Sequence, residues 1–191
     1  MKLAFIADVV GKSGRRSVAD AAPRIRRDHG IDILIANAEN SAGGFGINGR
    51  CLDELESAGV DFFTTGNHVW DKIDGVRALD ERANIIRPAN YPDGPGRGMA
   101  AVPGTDGRVV VVNLQGRVFM EAVVDNPFTV IDGFLKSNRQ AIVLVDFHAE
   151  ATAEKQAMGF FLDGRVSAVL GTHTHVPTAD GRILENGTAY Q

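Results

Sequence analysis

The 191-residue chain is 44% hydrophobic and 23% charged, which excludes a disordered or fibrous protein and suffices for a substantial core in one domain spanning residues 1–191. A net charge of -4 is a poor match for long nucleic acid, so no stable nucleic-acid complex is expected. A lone cysteine, Cys51, rules out an internal disulfide and a thiolate cluster. No stretch approaches the roughly 20 apolar residues of a membrane helix, and the N-terminal apolar run, broken by Asp8, is too short for a signal peptide. A cytoplasmic location without membrane attachment is expected.

Along the chain, the first apolar run, Leu3 to Ala7, ends at Asp8. Gly11-Lys12-Ser13 resembles the tail of a phosphate-binding loop, but the required first glycine falls on Ile6, so the match fails; Gly11 and Gly14 are expected to shape a loop beside Asp8. A helical stretch from Arg16 to Asp28 follows, with His29 at its end before Gly30. The run Ile31 to Ala36 leads to Glu39-Asn40, and Leu52 to Ala58 is helical, stopped by Gly59, with Cys51 packing a helix face. Val60 to Thr65 leads to Gly66-Asn67-His68, and a helix is expected over Asp71 to Arg82. Tyr91 to Gly107, rich in Pro and Gly, predicts an irregular surface loop before the strand Val109 to Leu114. Asn126-Pro127 opens a helix running to Asn138. The strand Ala141 to Phe147 ends at His148, and a helix over Ala151 to Phe161 starts near Thr152 and stops at Gly164. Val166 to Leu170 ends at Gly171-Thr172-His173-Thr174-His175. Turns at Asp180-Gly181 and Asn186-Gly187 bracket a short strand, Arg182 to Leu184, and Gln191 is reached on entering another. The apolar runs are continuous rather than alternating, as in strands buried on both faces. Their alternation with helices predicts an α/β layered fold with a largely parallel central sheet.

Five of these strands deliver polar side chains at their carboxyl ends, the edge where open α/β sheets bind ligands. Four of the five histidines, His68, His148, His173 and His175, lie there. Imidazole, carboxylate and amide oxygen without thiolate suit Fe, Mn, Zn, Ni or Co. On an extended segment His173 and His175 would point the same way one repeat apart, serving two adjacent ions. Glu39 has two oxygens with which to bridge such a pair, and ions about 3.5–4 Å apart are the arrangement for phosphoryl hydrolysis. Singly, each residue has a simpler role: Asp8 as a helix cap, Glu39-Asn40 as a turn, Asn67-His68 as a helix entry, Thr172 and Thr174 as strand residues. Those roles leave unexplained why so many polar groups, costly to bury, end buried strands.

The series Asp8-Val9-Val10-Gly11, Ala38-Glu39-Asn40, Gly66-Asn67-His68-Val69-Trp70-Asp71, Asp146-Phe147-His148-Ala149-Glu150-Ala151 and Gly171-Thr172-His173-Thr174-His175-Val176 resembles the YmdB family of bacterial metallophosphoesterases, within the calcineurin-like phosphoesterases. Arg87-Pro88-Ala89-Asn90 and Asn113-Leu114-Gln115-Gly116-Arg117 match it too, so the resemblance covers essentially the whole chain. It implies an α/β/β/α sandwich. It also implies two transition-metal ions, iron or manganese: Asp8, Glu39, Asn40 and His175 on the first, Glu39, Asn67, His148 and His173 on the second, with Glu39 bridging. His68 would donate a proton to the leaving oxygen. The implied activity is hydrolysis of cyclic nucleotides, notably 2′,3′-cyclic AMP, by a hydroxide bridging the two ions, in a homo-oligomer. The wider superfamily has Asp-x-His on its first strand and a bridging Asp; here Val10 and Glu39 stand at those places, as in the YmdB subgroup, with Asn40 supplying a ligand. Family members continue beyond the point matching Gln191, so the resemblance implies a sandwich short of C-terminal strands. Two other readings share these residues: a nucleotidase or phosphoprotein phosphatase with the same metals, and a nucleotide- or metal-sensing module of low turnover, which would not need His68.

Overall fold

The computed structural model describes residues 1–138 and 142–191. Strands β1 (Leu3–Ile6), β2 (Ile33–Asn37) and β3 (Phe62–Thr64) form a parallel sheet in the order β1-β2-β3. Strands β4 (Met99–Ala101), β5 (Val109–Gln115), β6 (Ile142–His148), β7 (Ala168–Thr172), β8 (Arg182–Ile183) and β9 (Ala189–Tyr190) form a second sheet in the order β4-β5-β6-β7-β9-β8. Its centre, β5-β6-β7-β9, is parallel, and β4 and β8 are antiparallel edges. The helices are α1 (Gly11–His29), α2 (Gly49–Ser57), α3 (Ile73–Glu81), α4 (Pro127–Ser137) and α5 (Thr152–Leu162), with a short 3-10 turn at Asn67–Trp70.

Three apolar clusters define four layers. Val18 and Ala22 of α1, Leu52 and Leu55 of α2 and Leu79 of α3 pack on Leu34, Ala36 and Phe63 of the small sheet. Ile131 and Leu135 of α4 and Met158 and Leu162 of α5 pack on Val112, Leu114, Val143, Val145 and Phe147 of the large one. Between the sheets Ile33, Ile35 and Phe62 meet Val109, Val111, Leu144 and Ala168. The result is the α/β/β/α sandwich that the family resemblance implies, and the single central sheet read from strand and helix alternation gives way to two. The β2 strand shows the cause: its residues alternate between the helical layer and the facing sheet, and both sides are apolar, so the run reads as continuous.

Local chemistry sets the element ends. The Asn48 and Asn126 side chains accept from the backbone N–H groups of Cys51 and Phe128, capping α2 and α4. Gly30 closes α1 at φ 64°, with Arg26, Arg27 and His29 in the last turn, where the helix dipole favours cations. Thr152 is the first residue of α5, as expected, and Ala151 is its cap. The helix α1 begins at Gly11, five residues before Arg16, so Gly11 and Gly14 lie inside its first turn and not in a loop. The stretch expected to be wholly irregular, Tyr91 to Gly107, contains β4, which adds to the edge of β5 through backbone bonds available to any sequence. Ala141, expected to open β6, lies outside the described residues. Among the described residues no helix is long and apolar enough to cross a membrane.

Phe62 is fully buried in the inter-sheet cluster. Phe62→Ala is expected to lower unfolding free energy by about 3–5 kcal/mol, read from the shift of the guanidinium midpoint. A loss below about 1 kcal/mol would show that the inter-sheet core is not packed as described.

Candidate metal centre

Along the faces that the two sheets turn toward each other, residues change from apolar to polar toward the strand carboxyl ends. On β2 the sequence of facing positions is Ile33, Ile35, Asn37; on β5 Val109, Val111, Asn113, Gln115; on β6 Leu144, Asp146, His148. These polar residues are buried and bind across the sandwich. The Asn37 amide donates to Asp146 Oδ2 (3.0 Å) and to the Thr65 carbonyl (3.0 Å), while the Thr65 N–H donates to Asn113 Oδ1 (3.2 Å). The bonds lock the carboxyl edge of one sheet against that of the other, and the chain beyond each strand end enters a common site.

Glu39, after β2, and His148, the last residue of β6, are both inaccessible to solvent, with Glu39 Oε1 3.0 Å from His148 Nε2. Asn67 Oδ1, beyond β3, lies 3.0 Å from that nitrogen, and His173 Nδ1, beyond β7, 3.1 Å. The tautomer of His148 follows from what stands behind it. Thr172 Oγ1 donates to Asp146 Oδ1 (2.6 Å) and so accepts from His148 Nδ1 (2.8 Å), leaving the Nε2 lone pair facing the cluster. The far nitrogen of His173, Nε2, lies 3.1 Å from the Glu150 carboxylate, which likewise turns Nδ1 inward. Four lone-pair atoms, Glu39 Oε1, His148 Nε2, Asn67 Oδ1 and His173 Nδ1, thus meet from four chain segments. Burial alone would push Glu39 up, but His148 and the His68 N–H hold its carboxyl below the ordinary range. Burial would likewise lower His148, and the Glu39 carboxylate more than reverses that. His173 is lowered by burial and by His148. Burial pushes Asp146 up to about 6 against the pull of His148, which keeps it an acceptor for Thr172 at neutral pH. The Glu39 and His148 shifts both arise from the mutual attraction of the two groups.

A second group adjoins the first and shares Glu39. Asp8, Glu39 and His175 present ligand atoms within 4.8 Å of one another, as do Glu39, His148 and His173. Asp8 caps no helix, since α1 is entered through Val10; its carboxylate accepts the His173 N–H at 3.0 and 3.2 Å and approaches His175 Nε2 at 3.5 Å. The Asn40 amide nitrogen sits 3.0 Å from Glu39 Oε1 and 3.1 Å from His175 Nε2, while its buried Oδ1 has no hydrogen-bond partner among the described residues. Turning that amide by 180° puts the oxygen beside Glu39 and His175, as a metal ligand requires. His173 and His175 have φ of 95° and 51°, so the expected extended segment is a turn, and the two rings diverge into the two groups instead of lying parallel. The donor set, the orphaned Asn40 oxygen and the doubly shared Glu39 all fit metal ions.

The structure therefore brings Asp8, Glu39, Asn40, Asn67, His148, His173 and His175 to one site. His68 stands at its rim: its N–H donates to Glu39 Oε2 (3.1 Å), its Nδ1 pairs with Asp71 Oδ2 (2.8 Å) and its ring is partly exposed. Beside Asp8 and His175 opens a cavity of about 610 Å³, with Lys155 on its wall donating to Thr174 Oγ1. Sequence reasoning missed the supporting residues. Thr172 and Asp146 orient His148, Asp71 orients His68, and Gly66 is required because a Cβ there would lie 2.3 Å from His148 Nε2 and 2.4 Å from Glu39 Oε2. The only sequence signal for Asp146 and Thr172 is that they share strand parity with His148 or adjoin it in register.

A 2′,3′-cyclic-nucleotide 2′-phosphodiesterase of Bacillus subtilis is 44% identical over 193 residues, covering all of this chain and 73% of its own. A crystal structure of a Thermus thermophilus protein described as hypothetical superposes with a TM-score of 0.92 at 44% identity, over 100% of this chain and 75% of that one. The crystal structure of a Mycoplasma pneumoniae protein described as a novel phosphatase superposes with a TM-score of 0.90 at 34% identity, over 97% and 68%. The family model for YmdB-like proteins matches residues 4–191, and the chain belongs to that family.

Proposed function

We propose that the protein is a dinuclear-metal phosphodiesterase acting on cyclic nucleotides such as 2′,3′-cyclic AMP. The observation that carries the reading is one buried carboxylate, Glu39, shared by two adjoining donor groups with a solvent-facing histidine at their rim. Asp8, Glu39, Asn40 and His175 would hold one ion and Glu39, Asn67, His148 and His173 the other. Oxygen and imidazole donors without thiolate suit Fe, Mn, Zn, Ni or Co, and the family resemblance narrows these to iron or manganese. Ions held there would supply the Lewis acidity that makes water nucleophilic near neutral pH and offsets charge gathering on a phosphoryl group.

The chain's own residues do the rest. Thr172 and Glu150 hold the His148 and His173 rings with their lone pairs inward, so the site is organised before substrate arrives. Asp71 holds His68 by Nδ1, leaving Nε2 to deliver a proton to the ester oxygen as its bond to phosphorus breaks. The His68 N–H on Glu39 keeps that imidazole in register with the donor cluster. The kinship with a cyclic-nucleotide phosphodiesterase supports the substrate class.

His68→Ala is expected to retain metal while kcat falls about 10²–10⁴-fold, and His148→Ala to lose metal as well as activity. Elemental analysis beside 2′,3′-cyclic AMP hydrolysis checks both; equal metal loss in the two variants contradicts the division of roles. A parallel panel of mononucleotides and a phosphopeptide separates this activity from a nucleotidase or phosphoprotein phosphatase.

Gly66→Ala should give a folded protein by circular dichroism that has lost metal and at least about 10²-fold in rate, since displacing reacting groups by an ångström costs that much. Unaltered metal content in this variant would contradict the packing of Glu39 and His148 around Gly66.

A further inference from the structure

The loop leaving Glu39-Asn40 carries one large exposed side chain, Phe45, 61% exposed. Its ring packs edge-to-face on His68, with centroids 5.0 Å apart and planes at 71°. Gly43, Gly44 and Gly46 around it have φ of 84°, 102° and 71°, a region that side-chain-bearing residues avoid. The loop is closed rather than loose: the Ala42 N–H donates to the Gly46 carbonyl (3.0 Å) and the Gly44 N–H to the Asn40 carbonyl (3.1 Å). A Cβ added at Gly43 or Gly44 would meet nothing within 4 Å, so the loop borders open space at those two residues.

Isolated exposed aromatics are ordinary on protein surfaces. This one is distinguished by position. It touches the histidine assigned to the leaving oxygen, and its loop begins at a residue of the donor cluster and is fixed by its own backbone bonds. An exposed flat ring on a fixed loop suits a flat partner, because aromatic stacking needs area and costs little conformational entropy. In a nucleotide whose phosphate lies at the donor cluster, the group able to reach such a ring is the base.

We propose that Phe45 is a specificity-determining residue that stacks on the substrate's base and selects nucleotides over base-free phosphodiesters. The proposal rests on the phosphodiesterase reading and narrows its substrate class. Because every base offers a π-face, the ring discriminates weakly among bases. The competing role is a mere prop for His68, which would affect all substrates alike.

The test compares 2′,3′-cyclic AMP with 1-O-methylribose 2′,3′-cyclic phosphate on metal-loaded full chain, with calorimetric titration of adenosine 3′-monophosphate alongside. In Phe45→Ala the KM advantage of the nucleotide over the base-free diester should shrink about tenfold, and adenosine 3′-monophosphate should bind about tenfold more weakly. Phe45→Trp should restore both. Equal falls in kcat for the two diesters with their KM ratio intact, or an unchanged affinity for adenosine 3′-monophosphate, would overturn the proposal. If neither diester is hydrolysed by the wild type while Phe45→Ala still weakens that nucleotide tenfold, the phosphodiesterase reading falls and the stacking role stands.

Discussion

The contact on which the rest depends is that of Glu39 with His148, two groups closed to solvent and 3.0 Å apart, one from each sheet. Burying a carboxylate costs several kcal/mol. Around them stand the Asn67 oxygen and the His173 nitrogen, which add lone pairs and no protons. The carboxylate takes donors from the His68 N–H and the Asn40 amide, but around His148 Nε2 acceptors face acceptors, an arrangement that a cation relieves.

The fold makes that arrangement possible by ending its inter-sheet core in polar residues. Apolar side chains from β2, β3, β5, β6 and β7 fill the space between the sheets. Toward the strand carboxyl ends the Asn37–Asp146 and Thr65–Asn113 bonds take over, each satisfied, so this polar layer specifies the alignment of the two sheets. Asp146 serves in that layer and, through Thr172, in the orientation of His148. The alignment of the sheets and the orientation of His148 meet in one carboxylate, and disturbing it moves both.

The segments of the candidate site were legible in sequence because the residues proposed as metal ligands are polar groups stranded at the ends of apolar runs. Asp8, Glu39, Asn67, His148 and His173 each follow such a run, and the structure brings them together. Two kinds of feature were hidden. Pairing that uses only backbone bonds leaves no side-chain signature, so β4 escaped notice among Pro and Gly. The geometry of single turns was hidden as well: the positive φ of His173 and His175 is a tertiary requirement that the strand pattern before them does not announce. Gly66 belongs to the same class, since its need for no side chain exists only once His148 has arrived from the other sheet.

The shared role of Glu39 is tested most directly by titrating Mn(II) into metal-free protein and following electron paramagnetic resonance. Two donor groups meeting at Glu39 predict two ions per chain with a spin-coupled signal, and loss of that coupling in Glu39→Gln. One ion per chain, or two ions without coupling in the wild type, would contradict the account.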